Sequence, residues 1–273
     1  MAVDLITAYH VLHKHRVVDE YGSISIRNPD NSNTFIIGAM PAVLISSLDD
    51  LVERNVEDGT LHQRLGRSES LPQHSFYPEH FLHGSIYAQY SDVQSVIHAQ
   101  STVGIVYGLC DSIGSMMLPV HNRAGFVGEH SPIFNPASHY SKLPSTHPQD
   151  LTISHPLLGE EVAHCLAKTR GVADGEQRLP EYSCVMLRGN GVAIWGDSLQ
   201  HAVYKAVQLQ RSTEVQTMAM MQRAHSELGI TYLSDHETKD CEYLMHQVAS
   251  MHWAAWTAEV ERDPTYSNRL RSS

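Results

Sequence analysis

The sequence predicts a single α/β domain that carries a helical extension at its C-terminal end. Stretches with apolar residues at helical spacing alternate along the chain with short stretches in which apolar and polar residues alternate. The chain has 273 residues, of which 42% are hydrophobic and 18% are charged, so it can bury a sizeable core. No internal repeat or low-complexity linker divides it. We therefore place the main domain at residues 1–230 and the extension at residues 231–273.

The helices are predicted from apolar residues three or four positions apart, with capping or turn residues at the ends. Pro78 suits the first turn of a helix, because its missing N–H would have no partner there, and Glu79 lies just inside that turn. Ser47 is a candidate N-cap with Asp50 three residues on. The predicted helices cover residues 5–17, 46–54, 78–90, 102–110, 158–169, 199–228 and 235–261.

The strands are predicted from alternation with a period of two and from short buried runs. Residues 23–27 alternate in this way, and a turn rich in Asn and Pro joins them to residues 34–38 as a hairpin. Residues 120–154 are rich in His, Pro, Ser and Asn, and we expect a long loop with short strands there. The predicted strands cover residues 23–27, 34–38, 94–98, 184–187 and 192–195.

Charge and composition exclude several classes of partner. The net charge of -11 argues against nucleic acid and anionic membranes, since both require clustered Lys and Arg. There is no apolar run of about 20 residues and no signal-peptide pattern at the start of the chain, so we expect a cytoplasmic protein. The four cysteines form no C-x-x-C motif, and the nineteen histidines are scattered rather than clustered.

Three separated blocks carry the functional signal. They are Glu-His-Phe-Leu-His at residues 79–83, Ser-Val-Ile-His-Ala-Gln-Ser at 95–101 and Leu-Arg-Gly-Asn-Gly-Val at 187–192. Together they resemble the active-site framework of the class II aldolase/adducin family. Further blocks agree in order with that family, and the resemblance runs from about Gly22 to Met221. These further blocks are residues 22–27, 90–98, 196–199 and 202–206.

The resemblance implies a fold and an assembly. The family has a three-layer α/β/α fold with a central, mostly antiparallel sheet, and forms a C4-type homotetramer with active sites at subunit interfaces. The tail, with Trp253, Trp256 and Tyr266, resembles a fungal and bacterial subgroup with biosynthetic or catabolic roles. We therefore expect a homo-oligomer, with a tetramer favoured.

The resemblance also implies a metal site that this chain has altered. The family binds a divalent metal ion, usually zinc, through His-x-His on one strand and a third His just before a Gly on another. Here the first ligand position is His98, but the second and third are Gln100 and Asn190. Carboxamide oxygens suit Ca²⁺ or Mg²⁺ better than zinc, so we expect no metal cofactor. The alternative is a divalent metal such as zinc held by His98 with His121, or with other histidines such as His83 and His130.

The four residues at these positions suggest acid/base chemistry. Residues i and i+2 of a strand point to the same side, so His98 and Gln100 face one pocket. The family uses a carboxylate at the position of Glu79 to shuttle a proton, and we assign Glu79 as general acid/base and His98 as a second acid/base or orienting donor. Gln100 and Asn190 are candidate oxyanion donors. Alternatively, the two carboxamides merely fill the vacated metal pocket.

The substrate is expected to be an unphosphorylated, largely apolar carbonyl compound. The family's phosphate-binding positions hold Ser23 and Tyr77-Pro78 here, and proline has no N–H to donate to a phosphate. Aromatic side chains at residues 76, 81 and 126 are candidate pocket walls. The candidate substrate-binding residues are Tyr77, Phe81, His83, His121, Phe126 and His130.

We therefore interpret the chain as an atypical aldolase-fold lyase or isomerase/cyclase that acts through an enolate, in a biosynthetic pathway of secondary metabolism. Two alternatives stay open at this point. One is a non-catalytic assembly module like the adducin head domain. The other is a metal-dependent aldolase or decarboxylase whose ligands come from other histidines.

Overall fold

The computed structural model describes residues 1–66, 79–109, 116–168, 178–223 and 229–271. These parts of the chain contain six α-helices and eight strands. The helices are α1 (Ala2–Lys14), α2 (His80–Gln89), α3 (Thr102–Gly108), α4 (Pro156–Cys165), α5 (Leu199–Arg223) and α6 (Asp235–Glu261). The strands are β1 (Ser23–Arg27), β2 (Thr34–Gly38), β3 (Leu51–Asn55), β4 (Leu61–Arg64), β5 (Ser95–Ala99), β6 (Ile133–Phe134), β7 (Cys184–Leu187) and β8 (Gly191–Gly196).

The strands form one sheet in the order β4-β3-β2-β1-β5-β8-β7-β6. Neighbouring strands are antiparallel except for β6 and β7, which are parallel. Strand β5 lies at the centre, where His98 is opposite Ser23 of β1 and Ala193 of β8. The predicted three-layer fold with a mostly antiparallel sheet is confirmed.

Successive residues of each strand point to opposite sides of the sheet, so apolar side chains project from both faces, and helices cover both. On one face, Ile97 and Ala99 pack in a cluster with residues of α1, α5 and α6. On the other face, Val96 packs with residues of α2 and α4. His98 has the same parity as Val96, so its side chain belongs to the face covered by α2 and α4. This assignment fixes which residues can reach it.

The predicted helix at residues 46–54 is wrong. Ser47 and Asp50 do form a capping box, but it caps only a 3-10 turn at Leu48–Asp50. The chain then continues as β3, whose residues pair with β2 from Leu51 opposite Gly38 to Asn55 opposite Thr34. Sheet hydrogen bonds and burial of Leu51 and Val52 therefore outweigh a local helix start. The edge strand β4, whose residues are exposed, was not predicted from the sequence.

The other predicted elements are present, with shifted ends. The first helix begins at Ala2 rather than Leu5, and the helix expected from Leu158 begins at Pro156. The expected ends at residues 169 and 228, the start at Pro78 and the end at Cys110 lie outside the described residues. The loop at 120–154 contains the short strand β6 and several 3-10 turns, as expected.

The C-terminal extension packs against the main body of the protein. Trp253 and Trp256 of α6 are nearly buried in the cluster that also holds residues of α1 and α5. Beyond α6, the Tyr266 hydroxyl lies 2.9 Å from Nδ1 of His13, and Asn268 donates to the Val3 carbonyl at 2.9 Å. No helix in the described part of the chain is long and apolar enough to cross a membrane.

Tyr9 links α1 to the sheet through a fully buried hydroxyl. It donates to the carbonyl of Ile24 at 2.7 Å and accepts N–H groups from Gly38 and Ile24 at 2.9 and 3.2 Å. We expect Tyr9→Phe to lower the free energy of unfolding by about 1–3 kcal/mol, because it leaves buried backbone groups without partners. Urea unfolding measures this change. Tyr21→Phe is the control, since Tyr21 is 62% exposed and its loss of a hydroxyl should cost almost nothing.

Candidate functional site

The four predicted catalytic residues come together from three parts of the chain. Glu79 immediately precedes α2, His98 lies in β5 and Gln100 follows that strand. Asn190 ends the tight turn between β7 and β8. Gly191, next to it, has a φ of 86° and approaches β5 so closely that an added Cβ would lie 2.0 Å from the Ala99 carbonyl oxygen. Only glycine fits there, and the close approach brings Asn190 against the end of β5.

Glu79 and His98 form a buried ion pair. Nδ1 of His98 lies 2.5 Å from Oε2 of Glu79, and the two side chains are 0% and 5% exposed. The carboxylate oxygen lies off the axis of the ring N–H, so the contact is an ion pair rather than a well-aligned hydrogen bond. On its other side, Nε2 of His98 donates to the Asn190 backbone carbonyl at 2.8 Å.

The two carboxamides extend this pair into a hydrogen-bonded chain. Nδ2 of Asn190 donates to Oε1 of Glu79 at 2.6 Å, and Nε2 of Gln100 donates to Oδ1 of Asn190 at 2.6 Å. Each carboxamide nitrogen carries two N–H bonds, and one of each is used in this way. Asn190 is buried and Gln100 is half-buried, so Gln100 is the member of the chain nearest to solvent.

The charges of the pair stabilise each other against the cost of burial. Burial favours the neutral carboxyl of Glu79, but the charge and contact of His98 and hydrogen bonds from Asn190 and Ile153 outweigh it, so the pKa of Glu79 lies below its ordinary value. Burial also favours a neutral His98, yet the Glu79 carboxylate outweighs it and holds the pKa of His98 above its ordinary value. Each partner therefore favours the charged form of the other, a carboxylate on Glu79 and an imidazolium on His98.

The arrangement of His98 does not fit the zinc site that the resemblance implies. A carbonyl oxygen only accepts, so Nε2 carries a proton, and Nδ1 faces the Glu79 carboxylate. Both ring nitrogens of His98 are therefore already engaged by groups of the protein. Gln100 and Asn190 add neutral carboxamide oxygens in place of two imidazoles. The residues at these positions therefore do not fit a zinc site with three histidine ligands.

His83 lies beside the pair but is fully buried. Its ring nitrogens contact the hydroxyls of Ser23 and Ser25 at 2.9 and 2.7 Å, and Ser25 also contacts Tyr87. Burial, followed by the charge of His98, holds the pKa of His83 well below its ordinary value, so it stays neutral. The structure therefore gives His83 the role of a neutral support below the site rather than a wall open to substrate.

Two other predicted substrate contacts lie on the opposite face of the sheet. Nε2 of His121 lies 3.0 Å from Ser212 of α5, and Phe126 packs in the cluster beneath α5 and α6. Within one chain, neither can meet His98, which points to the α2 and α4 side. Within the single chain, His121 and Phe126 therefore do not share a pocket with His98, and their roles as substrate contacts, or of His121 as a metal ligand, stay predictions.

The other predicted substrate contacts are Phe81, His130 and Tyr77. Phe81 is half-buried in the first turn of α2, with its ring 4.2 Å from that of His80. His130 is half-buried with its ring 5.2 Å from that of Tyr182. Tyr77, and Phe76 before it, lie outside the described residues.

A cavity of about 460 Å³ opens beside Gln100. Its wall includes Lys14 and Arg16 at the end of α1, Asp19 in the following turn, and Tyr266 of the C-terminal tail. Arg16 has a φ of 58°, an uncommon conformation for a residue with a side chain. Gln100 links this cavity to the ion pair, because it lines the cavity and also donates to Asn190.

No sequence motif indicates this cavity. Arg16 and Asp19 are ordinary charged residues in a helix end and a turn, and their part in the site depends on where α1 lies in the fold. A positive φ at a non-glycine residue has no reliable sequence signature. Motif-based prediction therefore identified Glu79 and His98 but not the cavity beside Gln100.

The family model for the class II aldolase and adducin N-terminal domain matches residues 3–217. Decarboxylase tropJ from Talaromyces stipitatus is 31% identical over 272 residues, which cover 96% of this chain and 95% of that protein.

Solved structures show the same fold. An aldolase II superfamily protein from Pseudomonas syringae has a TM-score of 0.66 at 21% identity, over 97% of this chain and 93% of that one. An L-fuculose 1-phosphate aldolase from Glaciozyma antarctica has a TM-score of 0.64 at 15% identity, over 98% and 92% of the two chains.

The ion pair predicts a specific pH dependence of stability. His98, whose pKa is raised by folding, contributes stability that is present below its ordinary value of 6.5 and is lost as the pH rises through the folded pKa. Glu79, whose pKa is lowered, contributes stability that is present above 4.5 and is lost as the pH falls. The wild-type advantage over Glu79→Gln should therefore be greatest between these values and shrink at alkaline pH.

Urea unfolding of both proteins in metal-free buffer, from about pH 5 to about pH 9, measures this advantage. Glu53→Gln is the matched control, because Glu53 is a buried, hydrogen-bonded carboxylate whose lowered pKa affects stability only in acid. An advantage over Glu79→Gln that stays constant from neutral to alkaline pH would contradict the assignment of an imidazolium at His98.

Proposed function

Because the chain belongs to the class II aldolase and adducin family, we propose that it is a lyase that decarboxylates an unphosphorylated, largely apolar carbonyl compound through an enolate. The observation that carries this proposal is the buried Glu79–His98 ion pair linked to two carboxamides. Such a pair stores a proton next to hydrogen-bond donors without a metal ion. The name of the relative from Talaromyces stipitatus, a decarboxylase, supports decarboxylation over the other enolate reactions.

The proposed reaction needs two functions from the site. When the bond to the carboxylate breaks, its electron pair moves to the neighbouring carbonyl group and forms an enolate, and CO₂ leaves. The second N–H bonds of Gln100 and Asn190 are the donors for the enolate oxygen. The Glu79–His98 pair then gives a proton to the enolate carbon, and solvent restores that proton. The net change is one carboxylate lost as CO₂ and one proton taken up.

The substrate would enter through the cavity beside Gln100. Lys14 is 2.8 Å from Asp263, so its charge is already balanced. Arg16 is exposed at the cavity wall, and no ion pair of its side chain occurs among the residues that the structure describes. A guanidinium binds carboxylates through paired hydrogen bonds, so Arg16 is our candidate for holding the substrate carboxylate.

We propose that this reaction is independent of metal and belongs to a biosynthetic pathway of secondary metabolism. The contacts of both ring nitrogens of His98 with groups of the protein support metal independence. We also propose a homo-oligomer, with a tetramer favoured, on the basis of the family. In such an assembly, His121 and Phe126 would contact the site of a neighbouring subunit only from the interface between the two subunits.

Glu79→Gln should lower turnover by about 10²–10⁴-fold, because it removes the carboxylate that maintains the proton on His98. Two probes of the same enolate chemistry measure this change: an aryl β-keto acid, whose loss of CO₂ reports decarboxylation, and an aryl β-hydroxy ketone, which has no carboxylate to lose and whose release of an aldehyde reports retro-aldol cleavage. We expect CO₂ release above the uncatalysed rate from the first probe, unaffected by chelators.

Glu53→Gln is again the matched control and should retain turnover in its folded fraction. Cleavage of the hydroxy ketone without decarboxylation of the keto acid would replace our proposal with a retro-aldol lyase. Turnover abolished by chelation would favour the metal-dependent alternative. If neither probe reacts and assembly survives Glu79→Gln, the adducin-like assembly module is favoured.

Arg16→Gln should raise KM for the keto acid about 10–100-fold, with a smaller effect on kcat, because a charge-assisted hydrogen bond to the carboxylate is lost. Steady-state kinetics of CO₂ release measure both constants. Arg178→Gln is the control, since Arg178 is an exposed arginine paired with Asp92 away from the cavity. A change confined to kcat would contradict a role for Arg16 in holding the substrate.

A further inference from the structure

A second cluster of polar side chains lies where the start of α5 meets the middle of α6. Asp197 follows the last residue of β8, His201 lies four positions further on in α5, and His246 belongs to α6. One ligand-type atom of each lies within 4.8 Å of the others. Across the described ranges, this is the only group of three or more His, Cys, Asp or Glu side chains with ligand atoms so close together.

The contacts inside the cluster are specific. Oδ1 of Asp197 lies 2.5 Å from Nδ1 of His201. The rings of His201 and His246 meet edge to face, with centroids 4.7 Å apart. Asp197 and His201 are fixed relative to each other by a single helical turn, while His246 comes from a separate helix. The cluster therefore joins the extension to the body of the protein.

We propose that Asp197, His201 and His246 bind a divalent transition metal ion of the zinc type, which ties α6 to α5. Two imidazoles and one carboxylate are a ligand set that zinc favours, with a fourth position left for water. Bond lengths of about 2.0–2.2 Å place the ligand atoms of one zinc ion roughly 3.3 Å apart. When an ion binds, the 2.5 Å contact between Asp197 and His201 would open to this spacing, and the ligand atom of His246, now within 4.8 Å of the others, would approach it.

The site is open to solvent. The side chains of His201 and Asp197 are 20% and 40% exposed, and His246 is exposed as well. An ion can therefore enter without opening the protein, and water molecules can complete its coordination. The proposed active site is different in this respect, since Glu79 and His98 are buried.

The charges around the cluster partly favour and partly oppose a cation. The hydrogen bond from His201 holds the pKa of Asp197 below its ordinary value, so the ligand is a carboxylate at neutral pH. Lys205, one turn further along α5, places a buried ammonium within range of Asp197. Glu242, one turn before His246 in α6, acts on the same ammonium and offsets it. We expect an affinity below that of a zinc site with cysteine ligands.

The consequence is a metal-dependent attachment of the extension. The family model ends at residue 217, so α6 lies beyond it and is held to the body by side-chain packing and by this cluster. An ion that binds only when α6 is docked stabilises the docked form by mass action. This inference does not depend on the proposed decarboxylase activity.

The experiment is uptake of zinc by the full chain after treatment with a chelator and desalting. Elemental analysis and titration with Co²⁺, whose visible absorption reports tetrahedral coordination, measure binding. We expect one ion per chain for the wild type and a rise in its thermal unfolding midpoint with zinc. His246→Ala and Asp197→Asn should each lose the ion and the stabilisation, without changing the midpoint of the metal-free protein much.

Two controls make the result specific. His236→Ala removes an exposed histidine from the same helix and should keep the ion, which tests for adventitious binding by surface histidines. Glu79→Gln should also keep it, which separates this site from the proposed active site. No uptake by the wild type, or uptake that persists in both His246→Ala and Asp197→Asn, would overturn the proposal.

Discussion

The ion pair between Glu79 and His98 is the interaction on which the rest of the site depends. Two opposite charges buried in a protein are tolerated only when each is held close to the other and its remaining polar atoms are satisfied. That requirement fixes the start of α2 against the middle of β5, and it fixes the turn before β8 against both, since Asn190 contacts each partner. The close approach at Gly191 makes this meeting of three segments possible.

The carboxamides of Gln100 and Asn190 form hydrogen bonds that lead to this ion pair, which imidazoles bound to a metal ion would not form. A carboxamide donates through nitrogen and accepts through oxygen, so Gln100, Asn190 and Glu79 form a continuous series of hydrogen bonds. Histidine ligands around a metal ion instead need deprotonated nitrogens facing one point. With carboxamides at these two positions, His98 contacts the Glu79 carboxylate and the Asn190 carbonyl.

Sequence patterns identified Glu79 and His98 because each lies in a short block of residues that resembles the family. His98 and Gln100 lie two apart in one strand, and Glu79 and Asn190 lie in recognisable blocks that end at α2 and β8. The sequence did not reveal which face of the sheet carries His121, because that residue lies in an irregular loop without periodicity. The wrong helix before β3 has a similar cause, since its capping residues are real and only pairing with β2 overrides them.

The C-terminal extension is part of the cavity as well as a neighbour of α5. Asp263 balances Lys14 at 2.8 Å, and Tyr266 contacts His13 and lines the cavity, so the tail leaves Arg16 as the cation that faces the open space. These tail residues lie beyond the segment that matches the family model. Glu79 and His98 thus lie within the part of the chain that matches the family model. The charges that line the cavity depend in part on the tail, which lies beyond that part. If the substrate binds in this cavity as we propose, attachment of the extension would also affect substrate binding, because the tail after α6 determines which charges the cavity presents.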